Sequence, residues 1–355
     1  MQTQIGKMDY TGQNIYAGID VHKKSWKVSI YSDHLYHKSF TQPPNPKLLH
    51  QYLVRNFPNG TYYTVYEAGF CGFWIHFNLE SLGINSLVVN PADVPTTDWE
   101  KKYKSDKIDS HKLAKQLRNG DLNAIFIHKE NHLEDRYLVR TRRTISKELT
   151  RYKNRIKSQL LFWGITIPPE FDRVNFRWSN RFITWLEDIE LSSHTGTESF
   201  KFLLNHFKKL RQDLLHITRK IYELSATEYY QNRVKLLTSI PGIAVITAMT
   251  ILTEINDINR FKNLDKLASY VGITPSNHSS GEKEVHGEMI NRGNNYLKSI
   301  IIECSWIAAR RDPILHNAFI HLSKRMNKNQ AIVRIARKLL NRISFVLKNE
   351  ITYCA

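Results

Sequence analysis

The sequence predicts an α/β domain, then a long helical hairpin, then a mainly helical carboxy-terminal part. Three observations carry this reading. Over residues 1–128, short β-branched and aromatic runs alternate with helical patterns, punctuated by Gly and Pro. Over 129–232, two long stretches carry apolar residues at helical spacing. Over 233–355, the pattern is helices joined by tight turns, with one polar loop.

In the first part, residues 15–19 form a short apolar strand ending at Asp20. Trp26, Val28 and Ile30 alternate with Lys27, Ser29 and Tyr31, as in a half-buried strand. Residues 36–40 read as a third strand stopped by Pro43 and Pro44, and 48–54 as a helix. Residues 62–66 are β-branched and aromatic and end at Glu67. A helical pattern at 73–82 closes at Gly83, and an apolar strand at 84–89 closes at Asn90-Pro91. Residues 110–117 read as a helix before Gly120, and 124–127 as a last strand. Two or three consecutive strands followed by helix–strand alternation imply a mixed sheet.

The first long helix of the middle part carries Leu138, Ile145, Leu149, Tyr152 and Ile156 on its apolar side. In the second, Leu203, Phe207, Leu210, Leu214, Ile217, Ile221 and Leu224 step by alternating fours and threes, a heptad seam. That seam favours a coiled-coil hairpin with the first helix or with another subunit. The stretch 162–185 between them is aromatic, contains Pro168-Pro169 and reads as irregular. Beyond 233, helices are expected at 234–239, 244–255, 264–271, 294–310 and 331–348, with a polar Ser/Gly-rich loop at 274–293.

Composition bounds the function. Lys and Arg number 51 against 33 Asp and Glu, a net charge of +18. This excess exceeds what solubility needs and points to a polyanion, nucleic acid before a membrane surface. No run of 18 apolar residues occurs, so no transmembrane helix is expected, and the first residues lack the apolar core of a signal peptide. Cys71, Cys304 and Cys354 are widely spaced, which argues against a disulfide framework or cysteine zinc site and for a reducing cytoplasm.

Four groups of residues could carry chemistry. Asp20 and Glu67 end strands, and Asp106 and Asp109 share one helix face at a helix start. Clustered carboxylates repel and call for divalent cations, Mg2+ or Mn2+ by their hard oxygen ligands. Two such ions about 4 Å apart suit phosphodiester chemistry. Separate surface acids, or acids favouring a helix N-terminus, would look the same. Pro241-Gly242-Ile243 joins two apolar helices, either offering backbone N–H groups to a phosphate or simply turning the chain. Ser279-Ser280-Gly281 offers a serine that could act as a nucleophile if activated, in a sequence that is equally a turn.

The fourth group is basic. Arg140, Arg143, Lys147, Arg151 and Arg155 stripe the first long helix. Arg334, Arg337 and Lys338 belong to a segment with no acid between Lys324 and Lys348. Both stripes read as phosphate contacts. Phe171, Phe176 and Trp178 beside Arg173 and Arg177 could stack unpaired bases, although core packing fits them better. No P-loop or GxGxxG signature is present.

These pieces join in one resemblance. Tyr16-Ala17-Gly18-Ile19-Asp20-Val21-His22-Lys23, Tyr66-Glu67-Ala68-Gly69 and Lys104-Ser105-Asp106-Lys107-Ile108-Asp109-Ser110 resemble the DEDD-type insertion-sequence transposases. So do Ser239-Ile240-Pro241-Gly242-Ile243, Arg260-Phe261, Gly272-Ile273-Thr274-Pro275, Ser280-Gly281 and Arg292-Gly293-Asn294, which resemble that family's carboxy-terminal transposase domain. The chain departs from the usual pattern with Gly69-Phe70 after Glu67-Ala68, and with Ser110 where alanine is frequent.

The resemblance implies three parts. Residues 1–128 would be an RNase H/RuvC-like domain, 129–232 a coiled-coil hairpin and 233–355 a helical transposase domain. It implies Asp20, Glu67, Asp106 and Asp109 as the acidic quartet holding Mg2+ or Mn2+. Ser280 is implied as a nucleophile giving a covalent 5′-phosphoserine, with Ser279 as its rival. Gly242 and Arg292 would lie at the nucleic acid. The implied partners are donor and target DNA, a structured bridge RNA that guides both, and further copies of the chain as dimer and tetramer, in the bacterial cytoplasm at the nucleoid and without a membrane. Two other functions fit the residues: a RuvC-like, junction-resolving metal nuclease without serine chemistry, and a non-enzymatic nucleic-acid-binding protein.

Overall fold

A computed structural model of the chain describes residues 9–96, 106–172, 177–280, 283–289 and 292–354. Lys104, Ser105, Arg173, Phe176 and Gly281 of the sequence motifs lie outside the described residues. The chain divides into two compact units, Met1–Ile127 and His128–Ala355. The stretches 129–232 and 233–355 thus fall in one unit.

The first unit contains β1 (Asn14–Val21), β2 (Trp26–Ser32), β3 (Tyr36–Gln42), α1 (Pro46–Asn56), β4 (Thr61–Glu67), α2 (Trp74–Ser81), β5 (Asn85–Val89) and α3 (Asp106–Asn119). The strands form one mixed sheet in the order β3-β2-β1-β4-β5. β1 pairs antiparallel with β2 and parallel with β4, and β4 is parallel to β5. This mixed sheet is compatible with the RNase H-like expectation. The strand expected at 124–127 reduces to an isolated bridge between Val89 and Ala124.

The two-residue period of the strands divides the sheet into two faces. Ile15, Ala17 and Ile19 of β1 and Trp26, Val28 and Ile30 of β2 pack with Leu49, Leu53, Ile75 and Leu79 of α1 and α2. The opposite face receives α3. There Gly18 is the point of closest approach: a Cβ on it would lie 2.2 Å from the Ser110 carbonyl oxygen and 2.4 Å from the Ala114 nitrogen. Only a residue without a side chain lets the helix backbone lie on the sheet here. Beside it, the buried Ser29 and Ser110 hydroxyls share a 2.8 Å hydrogen bond, and Tyr31 and His111 are joined at 2.6 Å. The departure at Ser110 is thus matched by a partner on β2.

The second unit contains α4 (Glu130–Phe162), α5 (Asn180–Glu187), α6 (His194–Ser225), α7 (Glu228–Thr238), α8 (Val245–Ile255), α9 (Leu264–Val271), β6 (Pro275–Ser280), β7 (Lys283–Met289), α10 (Asn295–Arg311), α11 (Pro313–Ser323) and α12 (Lys328–Asn349). Phe207, Ile217 and Ile221 of the heptad seam are buried, while Leu203, Leu210, Leu214 and Leu224 are partly buried beside them. The aromatic stretch is more regular than expected. It contains α5, and Phe171 and Trp178 pack on Phe182 in a core with Phe200 and Phe207. The loop expected at 274–293 contains the antiparallel pair β6–β7.

α8 carries a single charged residue, Glu254, which is fully buried. Its carboxylate accepts hydrogen bonds from Arg140 Nε at 2.7 Å, Arg140 Nη2 at 2.9 Å and Arg136 Nε at 3.0 Å, tying α4 to α8. Burial pushes the Glu254 carboxyl up, but the Arg140 hydrogen bonds and the Arg136 charge outweigh it and hold the group at about 2.

Two outcomes follow. Gly18→Ala forces α3 away from the sheet and should lower unfolding free energy by about 1–3 kcal/mol, read from urea denaturation. Because the folded pKa of Glu254 lies below its ordinary 4.5, its stabilisation is full above that pH and is lost as pH falls toward about 2. In a urea series across that window, Glu254→Gln should be less stable than wild type at neutral pH and should flatten the acid dependence.

Candidate active site

The site grows from the α3 face of the sheet. Asp20 follows Gly18 by two residues on β1, so both share that face. β1 and β4 run parallel with Gly18 opposite Val65 and Ile19 opposite Tyr66. Glu67, two residues after Val65, therefore lies on the same face and at the same strand end as Asp20. The close seat of α3 on Gly18 brings the helix's first turn, with Asp106 and Asp109, to this end of the sheet.

His22 completes the group. Its Nε2 lies 3.1 Å from Asp20 Oδ2 and 3.4 Å from Asp106 Oδ2. Ligand atoms of Asp20, His22 and Asp106 all fall within 4.8 Å of one another. The Asp20 carboxyl is raised above its ordinary value, first by burial and then by the Asp106 and Asp109 charges, with His22 opposing. Asp109 also sits 3.7 Å from Lys112 Nζ, a largely buried amine that donates to Thr96 Oγ1 at 3.4 Å. Glu67 joins this end of the sheet through strand register, outside the tight three-residue group.

Mutual repulsion and partial burial make this pocket unfavourable for bare carboxylates, and a divalent cation relieves both. The donors fit such an ion: carboxylate oxygens with one imidazole nitrogen and an exposed side at Asp106. His22 lies one residue beyond β1, and its ring turns back onto Asp20 and Asp106.

In the second unit, Ser279 and Ser280 end β6, in register with Glu284 and Lys283 of β7. The basic stripe is divided. Lys147, Arg151, Arg155, Arg334 and Lys338 are exposed. Arg140 is engaged by Glu254, Arg337 pairs with Asp265, and Arg143 lies 4.0 Å over the Tyr296 ring. Arg151 pairs with Glu148, and Arg155 lies 4.9 Å over Tyr152. Gly242 packs on α10, where a Cβ would meet the Cys304 carbonyl oxygen at 2.7 Å. Arg292 is exposed. No helix among the described residues is long and apolar enough to cross a membrane.

A profile described as "Transposase", of DEDD type, matches residues 17–163. A second, described as "Transposase IS116/IS110/IS902 family", matches residues 234–319. The chain is similar to the transposase for insertion sequence element IS1533 of Leptospira borgpetersenii, with 25% identity over 71% of this chain and 72% of that protein. It is similar to the transposase for insertion sequence element IS1111A of Coxiella burnetii, with 25% identity over 76% of this chain and 70% of that one. The protein y4qE of Sinorhizobium fredii is 26% identical over 69% of this chain, and the chain spans 58% of its length. The class is thus that of DEDD transposases, enzymes that transfer DNA and whose type implies a divalent cation. Within it, the chain belongs to the IS116/IS110/IS902 family.

Asp20→Asn should weaken Mn2+ binding by about 10–100-fold in calorimetric titration of the full chain. Because the Asp20 carboxyl is raised, wild-type affinity should begin to fall with pH before the ordinary carboxylate value of 3.8 is reached.

Proposed function

We propose that this chain is an RNA-guided transposase that moves its own insertion element through a covalent phosphoserine. One observation carries the reading: Asp20 and Asp106 meet at the strand end that also bears Glu67, with Asp109 one helical turn along. In this reading Asp20, Glu67, Asp106 and Asp109 hold Mg2+ or Mn2+. The ions supply charge neutralisation at the phosphodiester and favour the alkoxide form of the attacking hydroxyl.

Ser280 is the proposed nucleophile. Its Oγ attacks phosphorus, the Oγ–P bond forms, and the P–O3′ bond breaks to leave a 3′-hydroxyl and a 5′-phosphoserine. The serine proton leaves with solvent or a base, and the departing 3′ oxygen gains one. Attack by a 3′-hydroxyl of the other duplex reverses the step, restores the serine and rejoins DNA without ATP. Asp20, Asp106 and their neighbours would hold the cations, whose charge would help orient a bound phosphodiester.

The exposed Lys147, Arg151, Arg155, Arg334 and Lys338 are proposed phosphate contacts, as are Arg143, Arg292, Arg337 and the Gly242 turn. Arg140 contributes through its exposed edge while paired with Glu254. The proposed partners are donor and target DNA and a bridge RNA, with a dimer joining into a tetramer, in the bacterial cytoplasm at the nucleoid. The 129–232 hairpin and the 233–355 segment act as separate functional parts within their unit.

The test is to express the chain with its flanking DNA, purify it and sequence the RNA that accompanies it. A single structured RNA encoded beside the gene supports the reading; only heterogeneous cellular RNA overturns the RNA-guided part. With DNA matched to that RNA, Ser280→Ala should abolish the covalent adduct, and Asp20→Ala should abolish cleavage while nucleic-acid binding persists. Cleavage by Ser280→Ala without an adduct would instead identify a water-using metal nuclease. Each exposed cation replaced by alanine should reduce the slope of log affinity against log salt by about 0.9.

A further inference from the structure

Three motif pieces that the acidic site does not use, Arg260-Phe261, Gly272 and Arg292-Gly293-Asn294, come together around Tyr270. Gly272 ends α9 with φ +85°, and Gly293 carries φ +128°. The two are back to back: a Cβ on Gly293 would lie 2.7 Å from the Gly272 Cα, and one on Gly272 2.9 Å from the Arg292 carbonyl oxygen. These glycines are the two stems of the segment carrying β6 and β7. The next residue, Asn294, locks the closure. Its backbone N–H donates to the Tyr270 carbonyl at 2.8 Å, and its Nδ2 donates to Glu254 Oε2 at 2.7 Å. Its Oδ1 accepts from the Leu297 N–H at 3.0 Å, capping α10. Tyr270 in turn donates to the Glu254 carbonyl at 2.7 Å, and the Arg260 guanidinium lies 4.3 Å and 4.6 Å over the Phe261 and Tyr270 rings.

A carboxylate in an apolar helix needs partners. Two arginines already neutralise Glu254, yet it spends a further acceptor site on an uncharged amide. The Asn294 bond, added to the three from the arginines, joins the buried ionic group to the base of the hairpin whose first strand ends at Ser280.

We propose that Glu254 is a positioning residue that acts through Asn294: the buried Arg136–Glu254–Arg140 group and the Gly272–Gly293 contact form a clasp that fixes the stems of the β6–β7 hairpin and so the presentation of Ser280. The proposal deepens the serine reading and rests on it for its catalytic consequence. The clasp itself rests only on the geometry above.

Asn294→Ser tests it. Serine keeps the capping oxygen for α10 but is too short to reach Glu254. Asn294→Asp keeps the cap and sets a carboxylate against a carboxylate. Two measurements apply to the full chain. Hydrogen exchange of the free protein should accelerate at least about tenfold at amides of 275–289 in Asn294→Ser, and further in Asn294→Asp, with α4 and α12 unchanged. Single-turnover adduct formation, on a duplex matched to the co-purified RNA, should slow at least about tenfold in Asn294→Ser while duplex affinity stays within about twofold. Unchanged exchange, or Asn294→Asp behaving as wild type, overturns the clasp. Faster exchange with an unchanged adduct rate overturns positioning. If wild type itself forms no serine adduct, the serine reading fails, and the exchange measurement, which needs no chemistry, still decides the clasp.

Discussion

The acidic site depends on a missing side chain. α3 lies on the sheet because Gly18 offers no Cβ, and any atom there would overlap the helix backbone. That contact sets the height of the helix, and the Ser29–Ser110 hydrogen bond sets its rotation and slide. The first turn then falls over the ends of β1 and β4, with Asp106 toward Asp20. The opposite face of the sheet is filled by ordinary apolar packing and could tolerate conservative exchange. The α3 face has no such latitude, since a shift of about 1 Å in a helix seated on backbone would separate carboxylates that act together.

The second unit solves a similar electrostatic problem in the opposite sense. Near Asp20, at a partly open edge, burial first and then the Asp106 and Asp109 charges drive the carboxyl up. At Glu254 the carboxylate is sealed from water but saturated by arginines and an asparagine, and is driven down. The first arrangement is unsatisfied until a cation arrives, which suits a site that works. The second is satisfied within the fold, which suits a site that holds. Burial alone would have made the two look alike; the partners separate them.

The sheet was legible because its strands alternate, and strand-end acids are visible when a run of Val, Ile and Tyr stops at Asp20 or Glu67. The heptad seam was legible for the same reason of period. β6–β7 was not, because Ser, Gly and Asn between 274 and 293 carry no apolar alternation and the pairing is set by its clasped stems. α11 escaped because it follows directly on α10, separated by the buried cap Asp312. Within the acidic site, His22 stood in plain sight but lacked the spacing of a metal motif. Glu254 had a signal: one acid in the run Val245–Ile255, which can be buried only with cations, facing a helix rich in arginine. The residue spacing pointed to Arg140 as a phosphate contact, since a sequence does not show which arginines the interior has already taken.

That last point bears on the charge of +18. Arg136, Arg140, Arg337 and Arg342 are paired with Glu254, Asp265 and Asp312, and the buried pairs among them hold helices together. These four arginines and three acids together contribute only +1 to the net charge, so nearly all of the excess lies elsewhere, exposed positions such as Lys147, Arg151, Arg334 and Lys338 included. The acidic edge of the first unit would by itself repel a phosphate backbone. On the proposed reading, cation and nucleic acid each make the other's binding there more favourable, because a divalent ion turns the repulsion into attraction and a phosphate oxygen completes the ion's shell. By linkage the two affinities must rise by the same factor. On that reading the acidic site would stay empty of nucleic acid until its cations are in place, while the basic stripes, which need no metal, would hold the polymer beforehand.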